Sequence, residues 1–151
     1  MVASSALLDA AVGLSELIEA NADDGERIRR LPLATVKGLN DAQLLRMCVP
    51  EAYDGPEVDP ITMVEVIEAV AHSDGAAGWC TMIASTTSSM ASLLPAEAAQ
   101  EIYGDPTSIT GGVFAPNGNG VATTVDGVDG FSVSGRWAWG SGTQHCRWVL
   151  G

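Results

Sequence analysis

From Ala76 to Leu94 the chain carries no charged side chain, only Ala, Gly, Ser, Thr, Met and a few larger apolar residues. A segment of that length without charge reads as a helix covered on most sides, and its small residues let neighbouring elements approach closely. Whatever this chain folds into must therefore be built around it. The element before it is well marked. Asp59-Pro60 is a helix start, with the carboxylate as cap and the proline in the first turn. Ile61, Val64, Ile67, Val70 and Ala71 recur at helical spacing, and His72-Ser73-Asp74-Gly75 ends the run.

Further upstream, Ala6, Leu7, Ala10, Ala11, Leu14, Leu17 and Ile18 predict a first helix capped by Ser4 or Ser5 and reaching about Ala22. Asp23-Asp24-Gly25 reads as a break or a frayed turn, with helix resuming toward Leu31. Pro32 opens a second helix ending near Leu39-Asn40, and Asp41 is placed to cap a short third one. Tyr53-Asp54-Gly55-Pro56 is a turn, and Pro95–Tyr103 a short amphipathic helix stopped by Gly104-Asp105-Pro106.

After Thr107 the pattern changes to short β-branched or aromatic runs separated by Gly, Asn and Asp. Ile109–Phe114, Val121–Val125, Phe131–Ser134, Arg136–Trp139 and Arg147–Leu150 are expected strands, with Asp126-Gly127-Val128-Asp129-Gly130 as a hairpin connection. The expected class is α+β: an all-α domain over residues 1–106 and the start of a β domain over 107–151.

A net charge of −12 disfavours nucleic acid, and its distribution disfavours it more. Between Met47 and Gly135 there is no Lys or Arg; five of the seven basic residues precede Met47. With 46% hydrophobic residues the chain has enough apolar material for a core. No apolar run reaches membrane-spanning length, and Met1-Val2-Ala3-Ser4-Ser5 lacks a secretory signature, so a cytoplasmic location is expected. Cys48, Cys80 and Cys146 are odd in number and scattered, which argues for small packed thiols rather than disulfides or zinc.

Several chemistries are excluded by missing residues. Asn117-Gly118-Asn119-Gly120 has no following Lys-Ser/Thr, so it is no phosphate loop. Asp126 and Asp129 lack the closing Glu of a calcium loop, Trp137 standing there instead. Ser141 has no nucleophile elbow, and no metal-ligand spacing occurs. Glu65 and Glu68 fit a solvated helix face, and His72 a helix C-terminus. Trp79 reads as core or as a pocket wall. In Gly135-Arg136-Trp137-Ala138-Trp139-Gly140-Ser141-Gly142, a strand would set both tryptophans on one face and let Ser141 continue it. Two readings stay open there, an aromatic sheet core and a platform for a flat heteroaromatic ligand.

The order of segments resembles the N-terminal part of the acyl-CoA dehydrogenase superfamily. The matching pieces are Arg29-Arg30-Leu31-Pro32, Leu45-Arg46-Met47-Cys48-Val49-Pro50-Glu51-Ala52-Tyr53-Asp54-Gly55, Ser73-Asp74-Gly75-Ala76-Ala77-Gly78-Trp79, Gly111-Gly112-Val113-Phe114-Ala115-Pro116 and the tryptophan run from Val133 to Gly142. Dehydrogenases carry a Thr-Glu-Pro stretch where Phe114-Ala115-Pro116-Asn117-Gly118 stands, and Trp-Ile-Thr or Trp-Ile-Ser where Trp139-Gly140-Ser141 stands. The details, the Ser141-Gly142-Thr143-Gln144-His145 stretch among them, are thus more similar to the oxygenase components of two-component aromatic hydroxylases.

That resemblance implies a helical N-terminal domain, an antiparallel β-barrel domain and a C-terminal four-helix bundle that makes tetramers. This chain would be the front part of such a protein and inactive alone. It implies FAD or FMN as cofactor, in reduced form for a monooxygenase that hydroxylates a small aromatic substrate, with a flavin reductase as partner. Acyl-CoA dehydrogenation and a non-catalytic interaction module are the alternatives. By position, Trp139 and Ser141 would lie along the flavin ring, Ser141 near its N5 and C4a atoms. Phe114, Ala115 and Gly142 would add backbone contacts, and Trp79 would wall the substrate pocket. The main catalytic base is expected outside this chain.

Overall fold

The computed structural model describes residues 2–151, and side chains from Ser5 onward. Six helices come first: α1 (Val2–Gly13), α2 (Ser15–Ile28), α3 (Leu33–Asp41), α4 (Pro60–Ser73), α5 (Gly75–Ser88) and α6 (Ala96–Tyr103). Four strands follow: β1 (Thr110–Gly112), β2 (Gly118–Val125), β3 (Val128–Gly135) and β4 (Trp148–Leu150). The arrangement is α+β with a helical N-terminal region, as expected. Among the described residues no helix is long and apolar enough to cross a membrane.

The core forms where α1 to α5 converge on the segment joining α3 and α4. Ala11, Ile18, Leu39, Leu44, Met47, Val66, Val70 and Ala77 are all essentially inaccessible. Asp74 fixes the central pair. Its backbone N–H donates to Val70 O and closes α4, while its carboxylate accepts from the Ala76 and Ala77 amides and opens α5. Asp59 does the same at the start of α4, accepting from Ile61 N, Thr62 N and the Thr62 hydroxyl. Those bonds, the hydroxyl's foremost, hold the Asp59 carboxyl below the usual range. α5 buries Ala77, Gly78, Thr81, Ala84 and Ser85, so the uncharged segment is enclosed as its composition requires. It ends earlier than expected, giving way to a 3-10 turn over Ser89–Leu93.

Several expectations fail, each for a tertiary reason. Helix does not stop at Ala22: α2 runs through Asp23-Asp24-Gly25, braced by an Arg27–Asp24 ion pair, to a left-handed cap at Arg29. A kink at Leu14 divides α1 from α2, yet the Leu14 N–H still reaches Ala10 O and Ile18 N–H reaches Leu14 O. Since α1 begins at Val2, Ser5 lies inside the helix instead of capping it, and the Ser4 side chain lies outside the described residues. Asp41 does not open a third helix; it ends α3, paired with Lys37 one turn before. On α4 the buried positions are Thr62, Val66 and Val70, whereas Ile61 and Val64 face solvent.

The strands form two separate pairs. β2 and β3 make an antiparallel hairpin turned by Asp126 and Gly127, both at positive φ, the two-residue geometry that matches strand twist. The loop is therefore shorter than the five residues expected. β1 and β4 instead pair in parallel, Thr110 against Trp148 and Gly112 against Leu150, and β1 packs on α5. Arg136–Trp139 is not a strand: β3 ends at Gly135 and irregular chain follows.

Candidate functional site

The parallel pairing of β1 and β4 is what creates the site. It returns residues 140–147, some thirty positions after β1, to the exposed side of α5. There the loop is held by its own bonds. Ser141 N–H donates to Trp139 O at 2.8 Å, the Thr143 hydroxyl to Gly140 O at 2.7 Å, and His145 N–H to Gly142 O at 2.9 Å. Gly142 sits at φ +72, a conformation that favours glycine, and leads into a 3-10 turn over Thr143–His145.

Between this loop, the end of α2 and the first turns of α5 lies an open cleft of about 600 Å3. That volume falls within the roughly 300–1,000 Å3 of small-molecule sites. Arg29, Arg30 and Glu26 form one wall, Asp74, Trp79 and Cys80 a second, and Ser141, Gly142, Gln144 and His145 the third. A hydrogen bond joins the second wall to the third: the Trp79 indole Nε1–H donates to Ser141 Oγ at 3.0 Å. Trp79 remains 56% exposed, so one surface of its ring stays available to the cleft. Behind this surface the chain is apolar. Cys80 and Cys146 pack beside Ile109, Ile83 and Ala84, and burial pushes the Cys146 thiol up to about 11, with Cys80 adding to it. These sulfurs are protonated packing groups with little nucleophilic character at neutral pH.

His145 brings the one imidazole among the residues that line the cleft. Burial, and then the neighbouring Arg30 cation, pull its pKa below the ordinary histidine value. The imidazole is therefore neutral at pH 7 and able both to donate and to accept. In an NMR pH titration its midpoint should fall below about 6.5 and move up in Arg30→Gln. An unmoved midpoint would show that Arg30 does not act on it. Because the folded-state value is depressed, the fold loses stability as pH drops from about 6.5 through that value.

The structure brings together Trp79, Ser141 and Gly142 of the residues named from sequence. It does not bring Trp139, Phe114 or Ala115 to this cleft. Trp139 has φ 65 and is 92% exposed; Phe114 and Ala115 follow β1 on the surface. Nor do the two tryptophans share a strand face. Trp137 turns back over the Gly118–Gly135 pair, where an added Cβ would lie 2.5–2.6 Å from its ring. Glu65, Glu68 and His72 lie exposed on α4, outside the cleft. Arg29, Arg30, Gln144 and His145 are cleft residues to which the sequence reading gave no site role, although Arg29-Arg30 and His145 belong to the segments that carry the resemblance.

A family model described as the acyl-CoA dehydrogenase N-terminal domain matches residues 10–102, which hold α2 to α6 and two of the three cleft walls. The chain belongs to this family. The oxygenase subunit HsaA of a flavin-dependent monooxygenase from Rhodococcus jostii is 31% identical over 134 residues, 88% of this chain and 34% of that protein. Indole-3-acetate monooxygenase from Pseudomonas putida is 33% identical over 121 residues, 79% of this chain and 30% of the relative. The structure of XiaF from Streptomyces sp., in complex with FADH2 and glycerol, superposes with a TM-score of 0.87 at 30% identity, covering 97% of this chain and 37% of that one. The chain thus spans about a third of the length of these relatives.

Proposed function

We propose that this chain supplies part of the flavin and substrate site of a reduced-flavin monooxygenase that hydroxylates a small aromatic compound. The observation that carries the reading is the Trp79–Ser141 pair on a cleft large enough for a flat ring system. The matching relatives, named as flavin-dependent or indole-acting monooxygenases, support it.

The residues present fit a flavin. Ser141 Oγ accepts the indole N–H, and its own proton has no acceptor among the described residues, so it faces the cleft as a donor. Gly142 keeps the backbone open beside it. Reduced flavin, when bound, would supply the electrons for O2 activation, one oxygen going to the ring and the other to water. The chain's own contribution is to bind, orient and keep water out. Ser141 donates to a ring acceptor, the Trp79 indole covers an aromatic face, and neutral His145 offers a second polar contact at the rim. Trp139, Phe114 and Ala115 stay assigned to the flavin by resemblance alone, as do the choice of FAD or FMN, a flavin reductase partner and a homotetramer.

An anaerobic titration with reduced and oxidised FAD and FMN tests the reading. Saturable binding, tighter for the reduced form and weakened about three- to tenfold by Ser141→Ala, is expected for the loss of one hydrogen bond. Absence of binding, or binding indifferent to Ser141→Ala, would remove the flavin from this cleft.

A further inference from the structure

We infer that Trp79 is a positioning residue for Ser141, its indole N–H setting the direction in which the serine hydroxyl donates. The inference rests on the flavin reading above and assigns Trp79 a second part besides walling a pocket.

The polarity of the contact is fixed by chemistry. An indole Nε1 can only donate, so in the 3.0 Å contact Ser141 Oγ must be the acceptor. One lone pair of the hydroxyl is thereby occupied, and its proton must point elsewhere. Among the described residues no hydrogen bond is donated by Ser141 Oγ, and the nearby carbonyls are engaged by others: Gly140 O by the Thr143 hydroxyl, Gly142 O by the His145 amide and the Cys146 thiol, Trp139 O by the Ser141 amide. The remaining direction is the cleft.

Both partners are held independently of each other. Trp79 rides on α5 between the buried residues Gly78 and Thr81, and Ser141 sits in the loop braced by those bonds. The bond spans 62 positions of sequence and is a direct link between the α5 wall and the loop wall. Without the indole donor, the Ser141 hydroxyl could turn among its three staggered positions, only one of which serves a given ligand acceptor. A hydroxyl already accepting a bond is also a better donor.

The test is a double-substitution cycle with Trp79→Phe, which keeps an aromatic ring and deletes the N–H. Reduced FMN and FAD are titrated anaerobically into the unchanged chain, Trp79→Phe, Ser141→Ala and the double variant. Trp79→Phe should weaken binding about three- to tenfold when Ser141 is present and leave it unchanged when Ser141 is already Ala. Equal losses in the two backgrounds, or no loss in either, would overturn the positioning role and leave Trp79 a wall. A measurement without ligand runs in parallel: the Trp79 indole N–H signal in 15N spectra should shift upfield and exchange faster in Ser141→Ala. An unmoved signal overturns the inference even if flavin binds normally. A moved signal with no flavin binding in the unchanged chain overturns the flavin reading and the donor role together, and leaves only the hydrogen bond.

Discussion

Replacing Arg46 with Met should destabilise the fold by about 3 kcal/mol or more, seen as a fall of roughly 10 °C in Tm. The side chain is only 1% exposed, yet among the described residues its guanidinium makes no ion pair with a carboxylate. It is spent on carbonyls: Nη1 donates to Asp105 O at 2.8 Å and to Ser108 O at 3.3 Å, Nη2 to Tyr103 O at 2.9 Å and, more weakly, Tyr53 O at 3.5 Å. One fork thus gathers the end of α6, the approach to β1 and the turn after Glu51. Burial pulls its pKa down, and the nearby Asp105 carboxylate opposes that, so the group stays cationic. Met fills much of the same volume but leaves the buried Tyr103 and Ser108 carbonyls without the guanidinium, each costing about 1–3 kcal/mol, while Asp105 O keeps the Ser108 amide. Lys, a single point donor, should recover less than half of the loss. Urea and thermal unfolding followed by circular dichroism decide it; a change under about 1 kcal/mol for Arg46→Met would mean that water replaces the guanidinium.

A second large effect is expected at the α4–α5 contact. An added Cβ at Gly78 would lie 2.4 Å from Ala71 Cβ and 2.8 Å from its Cα, so the two helices touch through a missing side chain. Gly78→Val should cost about 3 kcal/mol by forcing them apart. Gly78→Ala should cost less, because alanine regains about 1 kcal/mol of helix propensity. Combining Gly78→Ala with Ala71→Gly should restore part of that loss. The displacement also reaches the cleft, since Trp79 is the next residue: Gly78→Val should shift the Trp79 indole N–H resonance as Ser141→Ala does. If stability fell while that resonance stayed in place, the contact and the cleft would be uncoupled.

Where short-range chemistry sufficed, the elements could be read directly. Asp59-Pro60 starts a helix because a carboxylate there satisfies two free amides whatever surrounds it. Asp126-Gly127 turns a hairpin because few residue pairs tolerate positive φ twice. Arg46 gave a weaker clue, a cation embedded in Leu44-Leu45 and Met47-Cys48-Val49, which signals a buried charge without naming its partners. The apolar face of α4 was legible only in part: Ile67 and Val70 pack in the core as read, but Ile61 and Val64 face solvent and Thr62 and Val66 take the buried places. Packing against α1 and α5 selected the second set.

The site divides in the same way. Composition alone required α5 to be enclosed, and the run from Trp137 to Gly142 marked where aromatic and small residues meet. It could not say that the run leaves the sheet, because Trp137 folding over Gly118 and Gly135 depends on a strand pairing made elsewhere. Nor could it join Trp79 to Ser141. That contact exists because β4 returns in parallel beside β1 and lays the loop against α5. The sequence by itself determined the helix starts at Pro32, Asp59-Pro60 and Pro95, the place of the hairpin turn and the need for a covered central helix, since these rest on bonds between residues a few positions apart. Only the tertiary structure decided which helix faces are buried, where Arg46 ends and which residues form the cleft, because each depends on elements distant in the chain meeting in space.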